Sequence, residues 1–223
     1  MRSTEIDSYI YDKIIPQYAS FDDAHKEDHV HTVIDQAMKL HEGMGKWLSE
    51  QTDPDKEWLQ PVDANILKMA AACHDLGLIN GRDRHHLDSG TIIRNDINLQ
   101  KWFNADEIET IAQAAEDHRA SGTSAPRSIY GKIVAEADRV IETETIIRRT
   151  IQFGQKHYPA LGKEEHIERA VSHLKEKYGR GGYLKLWIPW SDNAENLNNL
   201  QNLIDDEDAL RDVIKEIMQK ISK

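Results

Sequence analysis

Histidine and aspartate side chains that could bind a metal ion occur in segments with helical apolar spacing. The clearest case is the adjacent pair His74 and Asp75 in the run AAACHDLG at residues 70–77. Small residues let a helix pack closely, so we expect this end of the helix to be buried. A buried histidine and aspartate are costly unless they are hydrogen-bonded or bind a cation. For the pair taken alone, a core histidine bonded to a carbonyl group is the alternative.

Three more such side chains are predicted to face the core. His29 lies four residues before Val33, and Asp138 follows Val134 by the same spacing, which is about one helical turn. His118 ends the apolar stripe of another segment. Imidazole and carboxylate ligands together suit Mn, Fe, Zn, Ni or Co better than calcium. We therefore expect a divalent metal cofactor, with these metals and Mg as candidates.

Apolar residues recur with helical period along nearly the whole chain, which predicts an all-α protein. One helix covers residues 30–37, and a second covers 66–74 and should end at Gly77. The run Asn104–Glu107 reads as a capping box that starts a third. A fourth follows Ser128 and is expected to run on toward Gly154.

The C-terminal part of the chain is also expected to be helical. Residues 164–178 and 207–221 have helical spacing, and the strand-like run 183–188 is cut short by Pro189. A chain of 223 residues suits one domain, or one domain with an appended region. We expect a metal-binding core at residues 1–155, with residues 156–223 packed on it as one structural unit.

The composition excludes some functions. The formal net charge of −11 argues against binding the backbone of a nucleic acid, but it leaves open a small phosphorylated substrate held beside a metal. Cys73, the only cysteine, is expected to be a core residue rather than a nucleophile, and it cannot form an intramolecular disulfide. No stretch approaches the length of a membrane span, so we expect a cytoplasmic protein without a membrane partner.

Four motifs, in order, resemble those of HD-superfamily phosphohydrolases. Residues 21–33 (FDDAHKEDHVHTV) are similar to the opening H-x-x-x-H-x-x-x-V element, and residues 71–77 match the HD signature. Residues 86–90 (HLDSG) resemble the H-x-x-[SG]-[GA] helix start, and residues 133–140 (IVAEADRV) the closing A-D-R element. The resemblance spans roughly residues 20–155, and the subgroup it favours is the small bacterial HD hydrolases of the YpgQ and YedJ type. It implies an HD-domain helical bundle with additional C-terminal helices.

The resemblance implies that His29, His74, Asp75 and Asp138 bind the primary metal. A metal lowers the pKa of bound water, so the expected reaction is attack of metal-bound hydroxide on phosphorus, with Asp75 orienting the water. Some HD proteins bind a second metal through two further histidines, and His86 and His118 are the candidates here. The alternative is that these two line the pocket and bind phosphate or transfer a proton. The expected catalytic residues are Asp75, His86 and His118.

Basic residues near these motifs are candidates for binding the substrate. Arg82 and Arg84 could bind phosphate oxygens, and solvated loop charges are the equal alternative. Lys26 and Arg119 are weaker candidates of the same kind. His25, one turn before the first histidine ligand, is expected to line the pocket rather than to bind the metal.

The motifs of neighbouring families narrow the substrate. No E-D pair follows His74 at the spacing of alarmone hydrolases, and residues 118–122 lack the G-Y-P element of cyclic-di-GMP phosphodiesterases. A metal-dependent phosphohydrolase acting on a nucleotide is the expected function. The rivals are a dinuclear iron oxygenase, as in inositol-oxygenase-like proteins, and a regulatory module that binds metal without turnover. Core packing of the C-terminal region is the favoured interpretation of Tyr183, Trp187 and Trp190, and a lid over the site or a homodimer patch are the alternatives.

Overall fold

The computed structural model describes residues 2–21, 26–119 and 124–221, and within these ranges it contains ten α-helices and no β-strand. The all-α prediction is confirmed. The chain divides into two compact units, residues 1–139 with 187–191, and residues 140–186 with 192–223. Within the described ranges, none of the helices is both long and apolar enough to cross a membrane.

The first unit contains six α-helices and several short turns of other helix types. The α-helices are α1 (Arg2–Tyr9), α2 (Glu27–Ser49), α3 (Ala64–Cys73), α4 (His85–Asn95), α5 (Ala105–Glu116) and α6 (Ile129–Ala137). A π-helical segment, Ile10–Ile14, follows α1, and 3₁₀ segments cover Ile15–Ser20, Lys56–Leu59, Leu76–Asn80 and Ile97–Lys101.

Helix α3 is the centre of this unit, with α2, α5 and α6 packed around it. Its three consecutive alanines, residues 70–72, have no exposed surface, because side chains this small let neighbouring helices approach closely. Asp63 caps its start by accepting a hydrogen bond from the Asn65 amide at 2.7 Å. The helix ends at Cys73, so His74 and Asp75 lie in a turn before the next 3₁₀ segment.

Helix α4 lies against the turn that follows α3. The Gly77 amide donates to Ser89 Oγ at 2.9 Å. A Cβ atom on Gly77 would overlap the carbonyl oxygen of His85 and lie 2.5 Å from the Ser89 amide nitrogen. Only glycine allows this approach, which fixes the start of α4 beside the His74–Asp75 turn.

The helix predicted to continue from Ser128 toward Gly154 is interrupted, so that prediction is wrong. Helix α6 ends at Ala137, and α7 begins at Thr143. The carboxylate of Glu142 accepts hydrogen bonds from the Thr145 amide at 2.6 Å and the Glu144 amide at 3.1 Å, and it thereby caps the new helix. The break leaves Asp138 at the C-terminal end of α6 rather than inside a long helix.

The second unit consists of α7 (Thr143–His157), α8 (Lys163–Tyr178), α9 (Asn193–Asp205) and α10 (Glu207–Ile221). Its core is formed by buried aliphatic residues, among them Ile147, Ile151, Ile167, Leu174, Leu200 and Ile214. The expected boundary at residue 155 falls inside α7. This helix packs with α8 and α10, and it therefore belongs to the second unit as a whole. That the two units pack together as one structural unit stays a prediction.

The strand-like run 183–188 forms neither a strand nor a helix. Its end and the next residues, 187–191, belong to the first unit. There the Trp187 amide donates to the buried Glu136 carboxylate at 2.8 Å, and Trp190 Nε1 donates to the Leu40 carbonyl at 2.8 Å. The Trp190 ring lies 4.9 Å from that of Trp47, centroid to centroid. Core packing therefore accounts for Trp190.

Candidate metal centre

Four potential ligand atoms converge at the end of α3. His74 Nε2 lies 3.3 Å from His29 Nε2 and 3.3 Å from Asp75 Oδ2. Asp138 Oδ1 lies 3.2 Å from His29 Nε2 and 3.9 Å from His74 Nε2. Ligands at roughly 2.1 Å from one cation are separated from each other by about 3.0–3.5 Å. Three of the pairs lie within this range, whereas His29 Nε2 to Asp75 Oδ2, at 3.7 Å, and His74 Nε2 to Asp138 Oδ1, at 3.9 Å, are wider. The atoms of His29, His74 and Asp75 therefore lie close enough to share one metal ion, and Asp138 lies beside them.

A second group of three atoms lies on the other side of Asp75. Asp75 Oδ1 is 3.4 Å from His85 Nε2 and 3.3 Å from His118 Nε2. The two imidazole nitrogens are 3.2 Å apart. Asp75 thus presents Oδ2 to the first group and Oδ1 to the second, as a carboxylate that bridges two metal ions does.

Three of the histidines are held in the orientation that a metal ligand needs. In each, ring Nδ1 is within hydrogen-bond distance of the carbonyl oxygen three residues earlier: 2.7 Å for His74, 2.7 Å for His85 and 2.5 Å for His118. A proton on Nδ1 satisfies this bond and leaves a lone pair on Nε2. A partner on the far ring nitrogen is the usual way in which proteins fix a metal-binding imidazole.

These lone pairs need a positive charge between them. Two unprotonated Nε2 atoms that face each other at 3.3 Å or 3.2 Å repel, unless a proton or a metal ion lies between them. Burial disfavours a charged His74, but the Asp75 and Asp138 carboxylates outweigh it and raise the pKa of His74 to about 9. A divalent cation would replace such protons. The imidazole and carboxylate atoms therefore fit a divalent metal.

Helix ends position the candidate ligands. His74 directly follows α3, His118 lies just after α5, and Asp138 directly follows α6. His29 comes from α2 and His85 begins α4. The C-terminal end of a helix carries a partial negative charge. Three such ends therefore meet at the centre and add to its attraction for a cation.

Tyr18 supports the turn that carries the central pair, and its sequence context gave no signal of this role. Its hydroxyl donates to the Ala72 carbonyl at 2.8 Å and accepts from the Asp75 amide at 3.2 Å. The side chain is fully buried, and burial raises the pKa of Tyr18 well above its ordinary value. The neutral phenol thus holds the backbone on both sides of His74.

The structure corrects the expected role of His86, because the neighbouring His85 occupies the second group. His86 Nδ1 instead lies 3.5 Å from Arg119 Nη1. Burial and the Arg119 charge lower the pKa of His86 to about 4, so His86 is neutral near pH 7 and a poor proton donor. Successive residues of a helix point about 100° apart. Because α4 begins with His85, whose ring faces Asp75, the next residue, His86, points in a different direction.

The structure places the expected substrate-binding residues in different surroundings. Arg119 Nη1 donates to the Asp83 carbonyl at 2.5 Å and lies beside His86. The side chains of Lys26, Arg82 and Arg84 are exposed, and the Arg82 carbonyl is the group that holds the ring of His85. His25 lies outside the described residues.

A family model for the HD domain matches residues 27–142, which is more than half of the chain. The chain belongs to the HD domain family. The matched range contains all six candidate ligands, His29, His74, Asp75, His85, His118 and Asp138. The resemblance seen in the sequence is thereby confirmed, and so is a divalent metal cofactor, because HD domains bind divalent metals. HD proteins are generally metal-dependent phosphohydrolases, although some are non-catalytic.

Neither further comparison adds a relative of this HD protein. No curated protein matches the chain, and no solved structure matches it.

Proposed function

We propose that this HD protein is a phosphohydrolase that uses two divalent metal ions and acts on a small phosphorylated substrate, a nucleotide. The observation that carries the proposal is the position of Asp75. Its two oxygens face two separate sets of imidazole Nε2 atoms, at 3.3 Å from His74 and 3.3 Å from His118. Two metal ions roughly 3.5–4 Å apart are a recurrent arrangement in phosphate-ester hydrolysis.

Each protein group in the proposed centre has a definite task. His29, His74, Asp75 and Asp138 would hold the first metal, and Asp75, His85 and His118 the second. When bound, the metals lower the pKa of coordinated water and polarise a phosphoryl oxygen. Asp75 is 3% exposed and has a pKa well below its ordinary value, because His74 and His118 outweigh the effect of burial. It therefore stays ionised and can accept a hydrogen bond from the attacking water.

Arg119 is the cation best placed to bind the substrate phosphate. It lies beside His86, next in sequence to the second-group ligand His85, and it follows His118 directly. Guanidinium groups bind phosphate oxygens through paired N–H donors. His86 is neutral near pH 7, so its place in this proposal is to line the pocket rather than to donate a proton.

The proposal is tested with purified protein loaded separately with Mn, Co, Ni, Fe, Zn or Mg. Release of phosphate is measured from nucleotides, cyclic nucleotides and sugar phosphates. We expect His74→Ala and Asp75→Ala to lose metal binding and at least 100-fold of the turnover, because each removes an atom of the centre. The matched control is His31→Ala on the same helix as His29, since His31 stacks against Tyr11 instead.

Two outcomes would contradict the hydrolase. Full turnover by His74→Ala would show that the reaction does not need the metal ion that His74 helps to bind. No turnover of any substrate with any metal, in protein that binds two metal ions, would favour a regulatory module.

A dinuclear iron oxygenase is the second candidate, because a carboxylate that bridges two histidine groups also suits a pair of iron ions. Metal analysis and electron paramagnetic resonance of the protein as purified separate the two functions. A coupled iron pair that reacts with oxygen would support the oxygenase. Redox-silent Mg or Zn with phosphate release would support the hydrolase.

A further inference from the structure

The N-terminal segment, residues 2–20, lies before the residues that match the HD family and packs against α3. Its buried face consists of every fourth residue, each at most 3% exposed: Ile6, Ile10, Ile14 and Tyr18. In a regular α-helix, four residues advance by about 400°, so a face with this spacing turns by about 40° at each step. Over three such steps, Tyr18 would turn roughly 120° away from Ile6.

A π-helical turn corrects this drift. In the π-helical segment, the Ile15 amide donates to the Ile10 carbonyl, five residues earlier. A turn of this kind takes more residues than an α-helical turn, and it therefore reverses part of the drift and keeps Tyr18 on the face of Ile6. π-Helical turns are rare, and they occur frequently at functional sites. The backbone of the segment thus places Tyr18 at the end of α3.

Tyr18 contacts two backbone groups of the turn that carries the central pair. Because α3 ends at Cys73, the Ala72 carbonyl has no partner within the helix, and the Tyr18 hydroxyl donates to it at 2.8 Å. The same hydroxyl accepts from the Asp75 amide at 3.2 Å. All three residues are buried, where a backbone group without a partner is costly. The hydroxyl therefore fixes the backbone from which the Asp75 carboxylate extends.

The position of this carboxylate decides how many ligands each metal ion would have. Asp75 Oδ2 lies 3.3 Å from His74 Nε2, and Oδ1 lies 3.3 Å from His118 Nε2. A shift of the Asp75 backbone moves both oxygens at once. Asp75 is one of four candidate ligands in the first group but one of three in the second. A displaced carboxylate would therefore cost the second group the larger share of its ligands.

We propose that Tyr18 is a positioning residue of the metal centre, whose hydroxyl holds Asp75 where one carboxylate serves two metal ions. It acts through the backbone of Asp75 and contacts neither metal nor substrate. The difference between the two ions rests on the proposed two-metal function. The N-terminal segment is thus part of the metal centre, although it lies outside the residues that match the HD family.

The variant Tyr18→Phe tests the proposal, because it keeps the buried ring and removes only the hydroxyl. Metal-free protein is titrated with Mn, and free Mn is measured by electron paramagnetic resonance. We expect the second ion to bind at least tenfold more weakly than in the wild type, as loss of a group that orients a ligand typically does. The first ion should lose less affinity than the second, because three of its four ligands stay in place.

The matched control is Tyr9→Phe, which removes a phenol hydroxyl from the same segment. The Tyr9 hydroxyl donates to Asp96 at 2.5 Å, and Asp96 is not a candidate ligand. Urea unfolding should show that both variants are less stable than the wild type, whereas Tyr9→Phe should leave both Mn affinities unchanged. A solely structural role of Tyr18 would lower stability without a change in affinity.

A second variant, Phe21→Leu, decides the question if Tyr18→Phe does not fold. The Phe21 ring packs edge-on against the Tyr18 ring, with a centroid distance of 5.2 Å. Its replacement should loosen Tyr18 and weaken binding of the second ion by about threefold, since one aromatic pair contributes modestly.

Two results would overturn the proposal. The first is unchanged Mn affinity in folded Tyr18→Phe, or in Phe21→Leu if the first variant does not fold. The second is an equal loss of affinity in Tyr9→Phe, which would show a general loosening of the segment. If the wild type binds only one Mn ion, the two-metal function fails by itself. A tenfold loss at that one site in Tyr18→Phe would then still support the positioning role, and no loss would overturn it.

Discussion

At the scale of single residues, the centre depends on how each imidazole is oriented. His74, His85 and His118 each use Nδ1 for a backbone carbonyl, so that each turns Nε2 toward Asp75. A histidine without this hydrogen bond could occupy the same helical position without turning Nε2 toward a metal ion. The hydrogen bond on the far side of the ring is therefore as informative as the ligand atom itself.

The choice between His85 and His86 leads to a direct prediction. We expect His85→Ala to bind about one metal ion per chain where the wild type binds two, because the second group loses one of its two imidazoles. His86→Ala is the matched control and should keep two. Metal content after gel filtration, measured by inductively coupled plasma mass spectrometry, gives the answer. Loss of one ion from His86→Ala alone would show that His86, not His85, is the ligand.

Sequence could predict part of this arrangement. Apolar spacing is enough to turn His29 and Asp138 toward the core, because a helical turn fixes which residues share a face. It cannot choose between His85 and His86, because that choice depends on where α4 begins. The loop before α4 also contributes, because its Arg82 carbonyl orients the His85 ring with Nε2 toward Asp75.

At the scale of elements, close approach of α4 to the turn after α3 is what brings His85 to Asp75. Gly77 makes that approach possible, because any Cβ atom there would overlap the His85 carbonyl oxygen. The start of α4 cannot move away without moving the His85 side chain with it.

We expect Gly77→Ala to lower the free energy of unfolding by on the order of 2 kcal/mol, as overpacking of a dense core does, and to weaken binding of the second metal. Gly45→Ala is the control, since no atom lies within 4 Å of a Cβ at that position in α2. It should stabilise the protein by about 0.5–1 kcal/mol, as replacement of glycine by alanine in a helix does. Urea unfolding measures both. Equal stability of Gly77→Ala and the wild type would contradict the packing argument.

Helices α4 and α5 are also joined by ion pairs. Arg94 forms paired hydrogen bonds with Glu109, at 2.7 Å and 2.8 Å, and this lowers the pKa of Glu109 to about 2. Partial burial favours protonation of Glu116, but Arg94 and Arg127 outweigh it and lower its pKa as well. Both carboxylates therefore stabilise the folded state when they are ionised.

This network predicts a pH dependence of stability. A depressed pKa in the folded state contributes stability that is complete above the unfolded pKa of about 4.5 and is lost as pH falls through the folded value. Arg94→Met should therefore have a lower Tm than the wild type at pH 7, and the difference should shrink between pH 5 and pH 3. Thermal unfolding of both metal-free proteins tests this. A difference that stays constant to pH 3 would exclude the ion pairs as its cause.

The ends of elements were harder to predict than their existence. The apolar pattern after Ser128 includes Ile141, which is buried, and so it gives no sign that α6 stops at Ala137. The stop depends on Glu142 acting as a cap for α7, and a glutamate at that position reads equally well as an ordinary helical residue. Helix α9 was not predicted although Leu197, Leu200 and Ile204 have helical spacing, because the asparagines that recur between residues 193 and 202 are poor helix formers.

At the scale of the whole molecule, the candidate metal centre belongs to one of the two compact units. All six candidate ligands lie at or before residue 138, whereas residues 140–186 and 192–223 form the second unit. Sequence spacing predicts helices but not which helices group together, because grouping depends on contacts between distant segments. The subgroup of HD proteins, the cytoplasmic location and the homodimer stay predictions.

The division predicts where metal binding stabilises the chain. A ligand present at about 100 times its Kd stabilises the state that binds it by about 2.7 kcal/mol. Hydrogen–deuterium exchange with and without Mn should show slower exchange at residues 70–77 and 85–95, which carry candidate ligands. Residues 163–178 of α8 are the internal control and should exchange at the same rate in both samples. Equal slowing in α8 would show that the two units respond to the metal together.

The three helix ends that meet at the centre set a limit on what substitution can change. Their negative field arises from peptide carbonyl groups, and a point mutation cannot delete it without unwinding a helix. Ligand atoms could therefore be exchanged one by one, altering which ion is preferred and which reaction follows, while the pull on cations persisted. The helix backbones thus fix the position of the cation site, whereas the side chains decide which ion binds there and which reaction follows.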